Sequence, residues 1–321
     1  MNNNFIKKAI NNCLTYEDCI SLIDMELEDL EFIAKSVFDS TCSKDFDLCT
    51  IINGKSIRCS ENCKFCGQSA SYNLDFNEHR LLSKEEFLKE AKYNANKGVL
   101  RFSIVTSGRK LNSMEIDEVC EAYKYIAQNC DIKLCASHGL LSFEEFCKLK
   151  ESGVTRIHNN LETSRNYFTK ICTSHTYDEK IEAIKNAQKA GIEVCSGGII
   201  GLGESYLDRV LMALELKELG IKSIPINVLT PIPGTPLGEK DILDEDEILK
   251  SFYIFRIILG DACIRTAGGR NLMADKGRKL FEVVANGAIT GDMLTTAGVS
   301  IKHDINLIHE LGFKIGDSDE R

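Results

Sequence analysis

Cys59-Ser-Glu-Asn-Cys63-Lys-Phe-Cys66 is the stretch of this chain that points most directly to chemistry. Three thiolates at CxxxCxxC spacing can hold three irons of a cubane cluster and leave the fourth open to a small ligand. A structural zinc site would want four protein donors, and no second CxxC supplies them. A thioredoxin-like pair at Cys63 and Cys66 would leave Cys59 without a part. Thiolates suit iron–sulfur clusters and zinc alike, so both readings stand at this point, with iron–sulfur the better match to three ligands. The chain has 14 cysteines. Its start, Met1-Asn-Asn-Asn-Phe-Ile-Lys-Lys, lacks the apolar core of a signal peptide. A cytoplasmic protein is therefore expected, where thiols stay reduced and a disulfide framework is not the explanation. Cys13, Cys19, Cys120, Cys147 and Cys172 sit in helical or unremarkable surroundings and read as ordinary buried thiols.

The elements that must position the motif follow a repeated pattern. A helix-like segment ends in glycine and an apolar run follows at once: Asn96-Lys97-Gly98-Val99, Glu151-Ser152-Gly153-Val154, Lys189-Ala190-Gly191-Ile192 and Glu218-Leu219-Gly220-Ile221. Glycine in the left-handed conformation closes a last helical turn, and meeting it just before a strand marks an αβ connection. Strands are expected near 50–54, 99–107, 131–137, 154–162, 192–200, 222–230, 262–267 and 288–294, with amphipathic helices such as Lys84–Asn96 and Tyr177–Ala190 between them. About eight βα units in roughly 250 residues predict an α/β fold, a (β/α)8 TIM-type barrel. A doubly wound dinucleotide fold fails on its fingerprint, because Tyr206 stands where Gly201-Leu-Gly203 would need a third glycine. Residues 1–45 are expected to form an N-terminal helical extension, with Tyr16–Phe38 an acidic amphipathic helix, and 46–321 the barrel. All four prolines fall within 225–236, which makes the loop after the sixth strand stiff.

The 321 residues carry 48 acidic and 39 basic side chains, a net charge of −9. That balance argues against a nucleic-acid partner and against an anionic membrane surface. No apolar run approaches the ~18 residues of a membrane span.

The cysteine motif, with Phe65 immediately before its third cysteine, resembles the radical S-adenosylmethionine (SAM) superfamily. Within it the chain is similar to the biotin synthases over most of residues 50–300. The stretches that carry this likeness are Cys59–Ser71, Arg156–Ser164, Glu193–Glu204, Pro225-Ile-Asn227 with Gly234-Thr-Pro236, and Ile264-Arg-Thr-Ala-Gly-Gly-Arg270. The resemblance implies a 4Fe–4S cluster on Cys59, Cys63 and Cys66, with SAM on its open iron. It also implies an auxiliary iron–sulfur cluster, 2Fe–2S or larger, deep in the barrel as the sulfur donor. The positions matching the auxiliary ligands are Cys135, Cys195 and Arg265, while the remaining family cysteine falls on Ser103. A serine hydroxyl is a hard, poor donor to a thiolate cluster. Cys42 or Cys49, just ahead of the expected first strand, is the candidate replacement. Without the resemblance, Cys135 and Cys195 would read as buried core thiols, and Arg265 as the partner of an acidic neighbour.

His158, Asn160 and Glu162 share one parity along the expected fourth strand, so all three would face the barrel interior. The resemblance gives Asn160, Glu162, Lys180 and Ile199 to SAM, and His158, Asn160 and Asn227 to the ureido ring of dethiobiotin. Amide side chains both donate and accept, which suits a neutral urea. Ser196-Gly197-Gly198-Ile199-Ile200 reads either as a close approach to adenine or as tight packing. The implied reaction inserts sulfur into dethiobiotin. An electron from flavodoxin or ferredoxin cleaves SAM to methionine and a 5′-deoxyadenosyl radical, which removes two hydrogens from the substrate. A homodimer is compatible with the resemblance. The rival readings are another barrel radical SAM enzyme, of the hydrogenase-maturase or methylornithine-synthase type, and a non-catalytic iron–sulfur or zinc protein.

Overall fold

The computed structural model describes residues 2–318 except 292, 295 and 297. Its strands are β1 (Asp45–Lys55), β2 (Arg101–Thr106), β3 (Lys133–Ser137), β4 (Val154–His158), β5 (Glu193–Cys195), β6 (Gly198–Ile200), β7 (Ser223–Val228), β8 (Cys263–Thr266), β9 (Gly287–Ile289) and β10 (Lys314–Ile315). Pairing runs parallel from β1 through β9, and β1 pairs with β9 to close the barrel. β5 and β6 together form one stave, so eight staves surround the lumen in a TIM-type (β/α)8 fold. β10 extends β1 at one edge.

The local chemistry that reverses the chain is consistent around the ring. The helices Lys84–Asn96, Ser113–Asn129, Phe143–Glu151, Tyr177–Lys189 and Tyr206–Glu218 each begin on a capping box, set by Ser83, Asn112, Ser142, Thr176 and Ser205. Each box satisfies two backbone donors that the first turn would leave orphaned. The four glycines that punctuate helix and strand stand at φ 85°, 96°, 73° and 68°. Only glycine adopts that region without a side-chain penalty.

Several boundaries differ from the sequence expectation, and one matters for chemistry. β1 begins at Asp45, so Cys49 lies within the first strand and not ahead of it. Asp47 breaks the apolar pattern of this strand, but Phe46, Leu48 and Thr50 form one buried face and Asp47, Cys49 and Ile51 the other. β4 ends at His158, placing Asn160 and Glu162 in the loop beyond it. The Tyr16–Phe38 segment is an α-helix (Tyr16–Ser21), a short 3-10 turn (Leu22–Asp24) and a second helix (Leu27–Thr41). That last helix packs outside the barrel on the helix Glu245–Leu259, where Tyr253 donates a 3.1 Å hydrogen bond to Glu31. No helix among the described residues is long and apolar enough to cross a membrane.

The lower lumen is filled by ionic groups. Asp47 is fully buried and lies 2.8 Å from Arg101, 3.0 Å from Arg156 and 3.1 Å from Arg265. Asp317, near the C-terminus, adds a second carboxylate against Arg101, Lys133 and Arg156. A guanidinium in a barrel core is costly unless paired, and here each one is.

Candidate functional site

Above that ionic floor the lumen opens into a cavity of about 290 Å³. The loop between β1 and the first barrel helix carries the cysteine motif over its mouth. This loop is held by a Cys59 N–H to Gln68 O hydrogen bond of 2.7 Å and an Ala70 N–H to Cys59 O bond of 2.8 Å. Cys66 lines the cavity with Phe65, Gly67 and Gln68. Burial pushes the thiols of Cys59 and Cys66 above their ordinary range, so ionising them calls for a positive charge such as a metal. The proline loop covers the same end: Ile232 stands 3.4 Å from where a Cβ on Gly67 would lie, and Leu74 fills the space beside Gly234.

Deeper in the cavity, the structure brings together Cys49, Ser103, Cys135, Cys195 and Arg265. Ser103 on β2 pairs in register with Cys135 on β3. Cys49 approaches Cys135 from β1 while its S–H points to Thr50 O at 3.4 Å; the neighbouring Cys135 and burial raise the Cys49 thiol. The neighbouring Cys49, with Arg101 and Arg156 adding to it against the cost of burial, lowers Cys135. Cys195 accepts a 3.3 Å hydrogen bond from Ser223. Arg265 donates to Asp47 O at 2.7 Å and to Ser223 Oγ at 3.3 Å. Cys42 is not part of this group. It caps the outer helix Leu27–Thr41, with Thr41 Oγ1 3.8 Å away, and contributes nothing to the cavity wall.

His158, Asn160, Glu162, Ile199 and Asn227 form the upper wall. Burial holds His158 neutral, its pKa pushed down to about 4. Asn160 accepts from Gly197 N–H at 3.0 Å and donates to Glu162 at 3.3 Å. Asn227 donates to Gly198 O at 3.2 Å and accepts from Gly268 N–H at 2.9 Å. Glu162 is a non-glycine residue at φ 72°, a conformation costing about 1–3 kcal/mol that persists where the surroundings impose it. Its carbonyl accepts from Ile199 N–H at 2.8 Å, and its side chain lines the cavity. Lys180 stands behind it, 4.0 Å from Glu162 and 3.5 Å from Asn159, outside the cavity wall. Gly197 and Gly198 are set by packing: a Cβ would fall 1.9 Å from Pro225 O and 2.5 Å from Glu162 O respectively.

Sequence reasoning singled out Arg265 but missed the other two arginines of the floor, Arg101 and Arg156, with Asp47 and Cys263. Strand parity held the signal: Asp47 precedes Cys49 by two, Arg101 precedes Ser103, Arg156 precedes His158 and Cys263 precedes Arg265. Cys172, expected to be an ordinary buried thiol, lies 3.7 Å from Cys63, sulfur to sulfur. The family's last arginine, Arg270, is structural, paired through both nitrogens to buried Asp304 at 2.8 and 2.6 Å.

A closed (β/α)8 barrel with a CxxxCxxC loop over its mouth is the architecture of a radical SAM enzyme. The radical SAM superfamily model matches residues 55–216, and the model described as Biotin and Thiamin Synthesis associated domain matches residues 225–314. The chain is 54% identical over 310 residues to a biotin synthase of Clostridium botulinum, covering 96% of this chain and 98% of the relative. It is 54% identical over 302 residues to one of Brachyspira hyodysenteriae, covering 94% and 91%. The chain belongs to the biotin synthase family. Among solved structures, methylornithine synthase superposes with a TM-score of 0.82 at 19% identity, covering 98% of each chain. A maturase of the FeFe-hydrogenase gives 0.82 at 18% identity, over 97% of this chain and 74% of its own. At that identity the likeness is one of fold.

Proposed function

We propose that this enzyme converts dethiobiotin to biotin inside the barrel lumen. Cys59, Cys63 and Cys66 would hold a 4Fe–4S cluster, and Cys49, Cys135, Cys195 and Arg265 an auxiliary iron–sulfur cluster. When bound, these clusters and SAM supply the carbon-centred radical and the sulfur atom; flavodoxin or ferredoxin is the electron source this reading takes. The donor chemistry fits both groups. Motif Cys66 lines the mouth, and three more soft donors line the same cavity below, with the hydroxyl of Ser103 beside them.

The chain's own part is to bind, orient and exclude. Asn160 spends one N–H on the Glu162 carboxylate and one lone pair on the backbone, and Asn227 one of each on the backbone, which fixes their rotamers and leaves one of each for a urea. Neutral His158 adds a polar edge without a charge that a urea could not balance. Glu162 and Asn160, beside the motif loop, suit the amino and ribose groups of SAM, with Ile199 against the adenine and Lys180 holding Glu162. Ile232 beside Gly67 and Leu74 beside Gly234 narrow the mouth with apolar side chains.

The observation that carries this reading is that motif Cys66 and the deep thiols Cys49, Cys135 and Cys195 line one continuous cavity. A radical formed at the mouth would meet its substrate between the two. The test is Cys195→Ala in anaerobically reconstituted enzyme. It should retain reductive SAM cleavage and lose biotin formation; biotin at the wild-type yield would remove the sulfur donor from this site.

A further inference from the structure

We propose that Cys63, Cys172 and His175 form a site for a single thiophilic divalent cation, zinc or ferrous iron, in the chain that lacks its 4Fe–4S cluster. Cys63 comes from the motif loop, and Cys172 and His175 from the turn that follows the helix Arg165–Ile171. Their ligand atoms all lie within 4.8 Å of one another. Cys63 Sγ is 3.7 Å from Cys172 Sγ, and Cys172 Sγ is 3.4 and 3.8 Å from Nδ1 and Nε2 of His175. Tetrahedral zinc at its usual bond lengths has S···S edges of about 3.8 Å and S···N edges of about 3.5 Å. The Cys63–Cys172 edge thus already stands at a tetrahedral separation, and a turn of the His175 ring brings Nε2, now 3.8 Å from Cys172 Sγ, toward the same ion.

A second observation concerns the other side of the histidine. Glu61 Oε2 lies 2.5 Å from His175 Nδ1, which leaves Nε2 as the nitrogen available to an ion. A carboxylate holding the far nitrogen is the usual outer partner of a metal-bound histidine. Glu61 is itself fixed by Ser174 Oγ at 2.8 Å and by Arg109. The turn is tied to the motif loop as well: Asn62 Oδ1 accepts from Thr173 N–H at 2.9 Å and Ser174 N–H at 3.1 Å, and Lys64 N–H donates to Ile171 O at 2.9 Å. The two segments that carry the donors are therefore tied together. Cys172 and His175 are buried while Cys63 is partly accessible, which leaves a route for the ion and a water as fourth ligand. Two thiolates and an imidazole select zinc or ferrous iron over magnesium or calcium. Binding releases the thiol protons to solvent.

One sulfur cannot serve both sites in their own geometries, so the single ion and the cluster exclude one another. This last step alone rests on Cys63 being a cluster ligand. The mononuclear form would hold the motif loop in place and shield its thiols until iron and sulfide displace the ion.

The experiment uses the full chain, stripped anaerobically of iron and sulfide and titrated with Co²⁺. Wild type should bind one equivalent with tetrahedral d–d bands and thiolate-to-cobalt charge transfer, and release it to Zn²⁺. Cys172→Ser should lose part of the charge transfer, and Cys172→Ser and His175→Gln should each weaken binding at least roughly tenfold. Cys195→Ser should leave these bands unchanged. Unaltered bands and affinity in both Cys172→Ser and His175→Gln, or loss in Cys195→Ser alone, would overturn the site. If circular dichroism shows Cys172→Ser unfolded, His175→Gln decides. Preloading wild type with one equivalent of Zn²⁺ should slow 4Fe–4S reconstitution at least tenfold, and Cys172→Ser should relieve the delay. Cobalt binding with no such delay overturns the exclusion and the cluster role of Cys63, while leaving the ion site standing.

Discussion

Cys49 on β1 stands next to Cys135 on β3 in the lumen, across the stave that carries Ser103. The soft donor missing from β2 is thus offered by the neighbouring strand, on the lumen side and within reach of the same partner. This places one sulfur where the family's pattern would lack one, without a change in the barrel's frame.

That relationship separates the two replacement candidates. Cys49→Ala should lose auxiliary iron and sulfide while the motif cluster stays, and Cys42→Ala should match wild type. Ser103→Cys should give no gain in cluster retention. Iron and sulfide quantification with Mössbauer spectra reads all three; equal auxiliary content in Cys49→Ala and wild type would return Cys49 to the ordinary core.

The motif thiols act as a unit. Cys63→Ala leaves two ligands for a cluster that needs three, so reductive SAM cleavage should drop to background. Methionine and 5′-deoxyadenosine release under reducing conditions measures it. Cleavage near the wild-type rate would withdraw the cluster from Cys63.

Asp47 neutralises a buried set of three arginines. Burial alone would raise its pKa, but Arg265, Arg156 and Arg101 hold its carboxyl well below the usual carboxylate range. Asp47→Ala leaves those guanidinium groups short of a counter-charge, and the chain should lose about 3–5 kcal/mol of stability. Urea unfolding of the cluster-free variant checks this, and a loss under ~1 kcal/mol would contradict it.

His138, joined to Cys135 O through Tyr123, supplies a pH signature. Tyr123 Oη donates to Cys135 O at 3.0 Å, so at its 3.0 Å contact with His138 Nε2 it accepts the ring N–H. Nδ1 then accepts from Thr106 Oγ1 at 3.0 Å, which makes the ring neutral. Burial pushes its pKa down to about 3 from an ordinary 6.5. Between those values the unfolded chain holds a proton that the folded one does not, so stability is full above pH 6.5 and falls as pH drops toward 3. Urea midpoints from pH 7 to 4 should fall less steeply in His138→Asn, by the slope of about one proton. An identical slope would mean that His138 is protonated in the fold.

Chain order and local chemistry determined the barrel. The helix–glycine–strand connections repeat at Gly98, Gly153, Gly191 and Gly220 because each closes a helix with no help from distant residues. The CxxxCxxC run was legible for the same reason, its three donors lying within eight residues. Tertiary structure alone decided which other residues join them. β1 reads poorly in sequence because Asp47, an acidic residue in a barrel core, is paid for by arginines from three other strands. That hidden strand start is what turns Cys49 inward and sends Cys42 outward. Cys172 and His175 lie more than a hundred residues from Cys63, and no periodicity links a turn to a loop across that distance. Their meeting depends on the Asn62 hydrogen bonds between two irregular segments, which the closed barrel brings side by side.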